Sequence, residues 1–132
     1  MLKEFVQYLA TALSKTIGDD LIAGATFPTS PKRCAVVMER GGEPNFYLTD
    51  AGTVNIQILN RAEYYFDARD DAFLYFTLLH GAAGINLSAV LPGTQDYYCN
   101  VIEAGVRPQF IGYDENGLDQ FSTNYVIRIR EV

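Results

Sequence analysis

The sequence predicts an α+β fold, in which an antiparallel or mixed sheet of about five strands carries two main helices packed on one face. In two segments, apolar residues recur at three- and four-residue steps, which is the spacing of an amphipathic helix. Elsewhere they alternate with polar residues, as in a strand with one buried face. Hairpin links between such strands favour an antiparallel or mixed sheet over a parallel one.

The first helix is predicted at the start of the chain. Its apolar face consists of Leu2, Phe5, Val6, Leu9, Leu13 and Ile17. Gly18 follows this face, and glycine is the usual residue just past a helix end. Residues 25–31 contain two prolines and are predicted to form a loop.

Two strands are predicted before the second helix. Residues 34–39 are short and rich in residues that favour strands, and the glycines that follow mark their end. The stretch as far as Gly52 is interpreted as a long loop or a loose hairpin arm. After it, Val54, Ile56 and Ile58 alternate with polar residues, which indicates a half-buried strand.

The second helix is predicted over residues 62–80. Its predicted inner face consists of Tyr65, Ala68, Ala72, Phe76 and Leu79. Asn60 could cap this helix, with Glu63 three residues later completing a capping box. Gly81 is expected to end it, and residues 82–94 are predicted to form a loop.

Three strands are predicted in the last third of the chain. They cover residues 97–104, residues 109–113 and a final strand that begins near Phe121. The segment 114–117 ends in Asn-Gly, which accepts the positive φ angles of a hairpin turn. In the final strand, apolar residues from Phe121 to Ile129 alternate with polar residues, which include Arg128 and Arg130.

The length and net charge of the chain limit the classes of function that it could have. With 132 residues, the chain suits a single domain over residues 1–132, and its net charge of -6 disfavours a nucleic-acid binder. The N-terminal residues lack a signal-peptide pattern, and no run reaches the roughly 20 apolar residues of a membrane span. Two isolated cysteines, Cys34 and Cys99, are expected to be buried free thiols.

No catalytic, cofactor or metal site is predicted. His80 is the sole histidine and lies at a predicted helix end, where a structural role is common, and we expect neither cysteine to have a basic neighbour that depresses its pKa. Four acids near the second helix could form a carboxylate stripe for a hard cation, or simply a solvated helix face interrupted by Arg69. They are Glu63, Asp67, Asp70 and Asp71. The segment 114–117 resembles part of a calcium loop, but a hairpin turn accounts for it.

Aromatic residues provide the best indication of function. Tyr64, Tyr65 and Phe66 are consecutive and spread over about 200° of a helix, so one face cannot bury all three. Tyr97 and Tyr98 must likewise point to opposite faces of a strand. Surplus tyrosines favour a protein interface, although exposed tyrosines without a role are also common. The residues predicted to contact a neighbouring subunit or partner are Phe46, Tyr47, Tyr64, Tyr98, Arg107, Arg128 and Arg130.

Several segments, taken in order, resemble the tail terminator or minor capsid proteins of long-tailed bacteriophages. They are residues 34–39 with the Gly41-Gly42 that follows, 54–59, 65–72 with 78–81, 107–117 and 121–125. The resemblance implies a small α+β domain that forms a ring, usually hexameric, at the head-proximal end of the tail tube. The ring would end tube polymerisation and join the tail to the head connector, and DNA would pass through its lumen. The resemblance implies no enzyme activity and no cofactor, and places the protein in the virion after assembly in the host cytoplasm.

Two alternatives remain open. The chain could be a small protein-binding adaptor outside a virion, which would be monomeric or dimeric. It could also be a hydrolase that uses Glu63, Asp67 or Asp70 in a cleft that raises a carboxyl pKa.

Overall fold

The computed structural model describes residues 1–24, 26–44, 51–90 and 95–132, which form two helices and seven strands. The helices are α1 (Leu2–Leu13) and α2 (Tyr65–Leu79). The strands are β1 (Leu21–Ala23), β2 (Cys34–Glu39), β3 (Ala51–Ala62), β4 (Ala83–Leu87), β5 (Tyr97–Ala104), β6 (Gln109–Tyr113) and β7 (Asp119–Glu131). Neither helix in these ranges is long and apolar enough to cross a membrane.

All seven strands belong to one mixed sheet. The hydrogen-bonded order is β1-β2-β3-β7-β5-β4, and β6 pairs with the first residues of β7 beside β5. The β1–β2 pair is parallel and the other pairs are antiparallel. Helix α1 contacts β1, β2 and β4, which lie at opposite ends of this order, so the sheet curls around the helix.

The core lies between the helices and the inner face of the sheet. Alternation in β7 buries Phe121, Thr123, Tyr125 and Ile127, as the sequence predicts. Phe5 and Leu9 of α1 and Leu79 of α2 join the main apolar cluster. A smaller cluster joins the first half of α2 to the start of β7; it consists of Ala62, Ala68, Ala72 and Phe121.

The predictions for β2, β5 and β6 are confirmed, and so is the α+β class, but the count of five strands is wrong. The structure adds β1 and β4, and β4 lies in a segment that was predicted to be a loop. Both are short, and the polar and glycine content of β4 hides its pairing with β5. The predicted packing of both helices on one face is also not matched exactly, because α2 packs on the central strands and α1 lies between the two curled ends of the sheet.

Helix α1 is shorter than predicted. It ends at Leu13, because Ser14 adopts the left-handed conformation, with φ 55° and ψ 45°, and its N–H bonds to the Ala10 carbonyl. Ile17 therefore lies outside the helix; it is half exposed and forms a β-bridge with Leu21. The predicted end at Gly18 is wrong because a serine occupies the position that glycine usually takes.

Helix α2 also starts later than predicted. Asn60 is a buried residue of β3 and caps nothing, so the predicted capping box with Glu63 is wrong. The helix begins after Tyr64, whose side chain makes no capping hydrogen bond. The buried face includes Tyr75, whereas Tyr65 of the predicted face is 40% exposed.

Candidate subunit interface

An aromatic surface lies where the first turn of α2 meets β6. Its members are Tyr64, Tyr65, Phe66, Phe110, Ile111 and Tyr113, which we call the aromatic patch. Tyr64 is 67% exposed, Phe66 70% and Tyr113 75%. Soluble monomers rarely expose a contiguous apolar surface of this kind, so the patch is a candidate interface.

The centre of the patch is continuous, because the rings of Tyr65, Phe66 and Phe110 touch each other. The Tyr65 ring centroid lies 5.2 Å from that of Phe66 and 5.3 Å from that of Phe110. Beneath them, Phe121 of β7 is buried and lies 5.2 Å from Tyr65 and 5.7 Å from Phe110. Edge-to-face aromatic contacts of this geometry are attractive. The inner rings therefore hold the outer ones in a fixed position on the surface.

Strand β6 presents an open edge beside the patch. It pairs with β7 on one side, and no strand of the described ranges pairs with its other side. A turn closed by Asp114 fixes the hairpin, because its carboxylate accepts bonds from the N–H groups of Asn116 and Leu118, both at 2.9 Å. An exposed edge with apolar side chains is a template for another chain.

A second surface lies on the outer face of the sheet. Register places Arg128 and Arg130 of β7 beside Val101 and Tyr98 of β5, on the face opposite the core. The Arg130 guanidinium lies 5.0 Å from the Tyr98 ring centroid, within cation–π range. Arg128 lies 4.0 Å from the carboxylate of Glu103, and both side chains are 57% exposed. Pairs this exposed add little stability, which leaves the arginines free for other contacts.

A row of side-chain hydrogen bonds extends this surface toward β2. Arg40 donates to the Gln57 side-chain oxygen at 2.8 Å, and the Gln57 amide donates to the Ser122 hydroxyl at 2.9 Å. We call the surface that carries Arg40, Arg128 and Arg130 the arginine face. Its net positive charge contrasts with the acidic chain as a whole.

The residues predicted to form an interface fall into three groups. Tyr64 belongs to the aromatic patch, whereas Tyr98, Arg128 and Arg130 lie together on the arginine face. Arg107 is exposed in the link between β5 and β6. Phe46 and Tyr47 lie outside the described residues.

Sequence reasoning missed most of the aromatic patch. Residues 109–113 were predicted to be a strand, but Phe110, Ile111 and Tyr113 were not considered as interface residues. Apolar residues that occupy both faces of a short strand are the signal that could have identified them. The bulge between Phe110 and Gly112 then brings Phe110 and Tyr113 to the same face.

His80, Asp67 and Asp71 have structural contacts, whereas Glu63 and Asp70 form no ion pair within the described ranges. The Nδ1 atom of His80 accepts a bond from the Ala104 N–H at 3.0 Å, and its ring stacks on Phe76 with centroids 5.1 Å apart. Asp71 accepts two bonds from Arg33, at 2.8 and 2.9 Å, and Asp67 lies 3.7 Å from the same guanidinium. Within the described ranges, no group of three or more His, Cys, Asp or Glu residues is placed to hold a metal ion.

Both cysteines are buried free thiols, as predicted. Burial raises the pKa of Cys99 to about 11. Cys34 does have a basic neighbour in space, because a terminal guanidinium nitrogen of Arg61 lies 3.5 Å from its Sγ atom. Burial nevertheless raises the pKa of Cys34, and the Arg61 charge offsets only part of that effect. Neither site favours a reactive thiolate.

Comparison with models of known protein families identifies the family to which this chain belongs. A family model described as "Bacteriophage tail terminator protein" matches residues 8–131. The chain belongs to the bacteriophage tail terminator family. The resemblance to tail terminators inferred from the ordered segments is thus confirmed, and the match includes every strand of the sheet. No curated protein matches the sequence significantly.

Proposed function

We propose that this tail terminator is a structural protein of the virion that caps the head-proximal end of the tail tube. It does so as a ring, usually of six copies, which ends tube polymerisation and joins the tail to the head. The family match over residues 8–131 is the observation that carries this proposal. The aromatic patch and the arginine face support it, because a ring subunit needs two different contact surfaces.

The proposed partners are other copies of the chain, the tail tube protein and the head connector protein. DNA would pass through the lumen without sequence-specific contacts. The net charge of -6 suits a conduit to which DNA does not adhere. The proposed activity needs no cofactor, since it depends on binding surfaces alone.

Removing the gene from a phage that encodes this chain tests the function. We expect tail tubes of uncontrolled length without attached heads, because nothing would end polymerisation or receive the connector. Supplying the gene from a plasmid should restore tails of uniform length, as seen by negative-stain electron microscopy. Joined tails of normal length in the deletion strain would overturn the proposal.

A further inference from the structure

Carboxylates flank the aromatic patch on both of its elements, and they outnumber the cation beside them on α2, Arg69, whose guanidinium lies 4.5 Å from the Phe73 ring centroid. Glu63 precedes Tyr64, and Asp70 lies one helical turn after Phe66. On the hairpin side, Asp114 and Glu115 form the turn after Tyr113, and Asp119 pairs with Tyr113. We call these five carboxylates the acidic rim. None of them forms an ion pair within the described ranges.

The arginine face has the opposite character. It carries Arg40, Arg128 and Arg130, with Glu103 beside Arg128 and Glu43 in the same cleft as Arg128, whereas exposed neighbours such as Asn55 and Asn124 are uncharged. Arg40 is held by Gln57 rather than by a carboxylate. The chain therefore presents an apolar surface with a negative rim and a polar surface with positive charge. Such surfaces attract each other.

We infer that the aromatic patch and acidic rim of one subunit dock onto the arginine face of a second copy of this chain. The inference rests on the proposed function. It specifies which surfaces of neighbouring subunits would be in contact in the proposed ring. Phe66 and Tyr113 would lie against the uncharged side chains of the face, and the rim carboxylates would meet Arg128 and Arg130. The open edge of β6 would be covered by the same contact.

The positions of the two surfaces favour a ring over a two-fold dimer. The patch rests on the helix side of the sheet, where Phe121 anchors it, whereas the arginines point from the opposite side. A two-fold contact would need both surfaces on one side of the molecule. Contact between different surfaces is heterologous, and it closes into a ring when the rotation between subunits permits.

Variants with reversed charges on the two surfaces provide the test. The face variant carries Arg128→Glu and Arg130→Glu, and the rim variant carries Glu63→Arg and Asp70→Arg. Sedimentation velocity measures their masses beside the wild type over a range of concentrations. Each variant alone should need at least about ten-fold more protein to assemble than the wild type. A mixture of the two variants should assemble at lower protein concentration than either variant alone, because the introduced arginines of one then meet the introduced glutamates of the other.

Two further variants sharpen the result. One chain carrying all four substitutions should assemble by itself, since its own surfaces are again complementary. A matched control, Lys3→Glu with Lys32→Glu, changes the net charge as the face variant does but touches neither surface, and it should assemble like the wild type. Phe66→Ser with Tyr113→Ser should weaken assembly at unchanged charge. Circular dichroism checks that each variant is folded.

Three results would overturn the inference. The face and rim variants could assemble like the wild type, their mixture could fail to assemble, or the wild type could stay monomeric at every concentration. In each case, the plasmid-borne gene could still restore normal tail length in the deletion strain. That result would show that the proposed function stands while this contact is wrong.

Discussion

Arg61 illustrates, at the scale of single residues, how one side chain orders a segment without regular structure. It is 4% exposed and donates to the carbonyls of Pro28, Pro31 and Lys32 at 2.7 to 3.0 Å. Its guanidinium also lies 4.6 Å from the Phe27 ring centroid. The sequence gives no sign of this role, because the acceptors are backbone carbonyls distant in the chain. By contrast, the burial of Cys34 and Cys99 was predictable from their surroundings.

Arg61→Ala should lower the free energy of unfolding by about 3 kcal/mol, because it removes three charged hydrogen bonds to partly buried carbonyls. Arg40→Ala is the matched control, since the Arg40 side chain is exposed and, among the described residues, bonds only to Gln57; the change should cost less than about 1 kcal/mol. Urea unfolding followed by circular dichroism measures both values. Equal losses for the two variants would contradict the role given to Arg61.

Stability should fall at alkaline pH in a way that depends on Cys99. Burial raises the pKa of its thiol from 9.0 to about 11. Below pH 9 both states keep the proton, but above it the unfolded chain releases the proton more readily, so stability is lost between pH 9 and 11. Burial also raises the pKa values of Tyr75 and Tyr125, which acts in the same direction.

Urea unfolding at about pH 8 and about pH 10 measures this loss. The loss should be smaller in Cys99→Ala than in the wild type, because one titrating group is gone. If both proteins lose the same free energy of unfolding, burial of Cys99 does not set its ionisation.

At the scale of elements, sequence patterns predict those strands and turns that local interactions determine. Strands β2, β5 and β6 and the turn at residues 114–117 were predicted, because alternation and turn chemistry are local. Strand β1 was missed because its three residues are held by parallel pairing with β2 and a contact with α1. The position of Arg128 and Arg130 on the outer face was predicted, since alternation in β7 fixes where they point. The aromatic side depends on how β6 meets α2, which no local pattern contains.

The end of α1 yields a prediction of its own. Ser14 takes a left-handed conformation that costs a residue with a Cβ atom about 1 kcal/mol or more. Ser14→Gly should therefore raise the free energy of unfolding by about 0.5 kcal/mol, after allowing for the greater freedom of glycine in the unfolded chain. Ser14→Ala keeps the Cβ atom and should bring no gain. Chemical unfolding compares them, and a glycine variant no more stable than the alanine variant would refute the assignment.

At the scale of the whole molecule, the fold leaves two surfaces open on opposite sides of one curled sheet. Helices α1 and α2 fill the inside, and within residues 1–24, 26–44, 51–90 and 95–132 no helix packs on the outer face and no further strand pairs with the β6 edge. Net charge and the absence of a recognisable catalytic motif already favoured a structural role. The family match supports that reading, and the arrangement of the surfaces shows how copies of one chain could meet head to tail.

The central claim is that this chain sits at the head-proximal end of the tail. Immunogold electron microscopy of virions and of free tails, with antibody against the purified chain, measures its position directly. We predict label at the head–tail junction of intact virions and at one end of each free tail. Label along the length of the tube, at the distal tip, or absent from purified virions would contradict the claim.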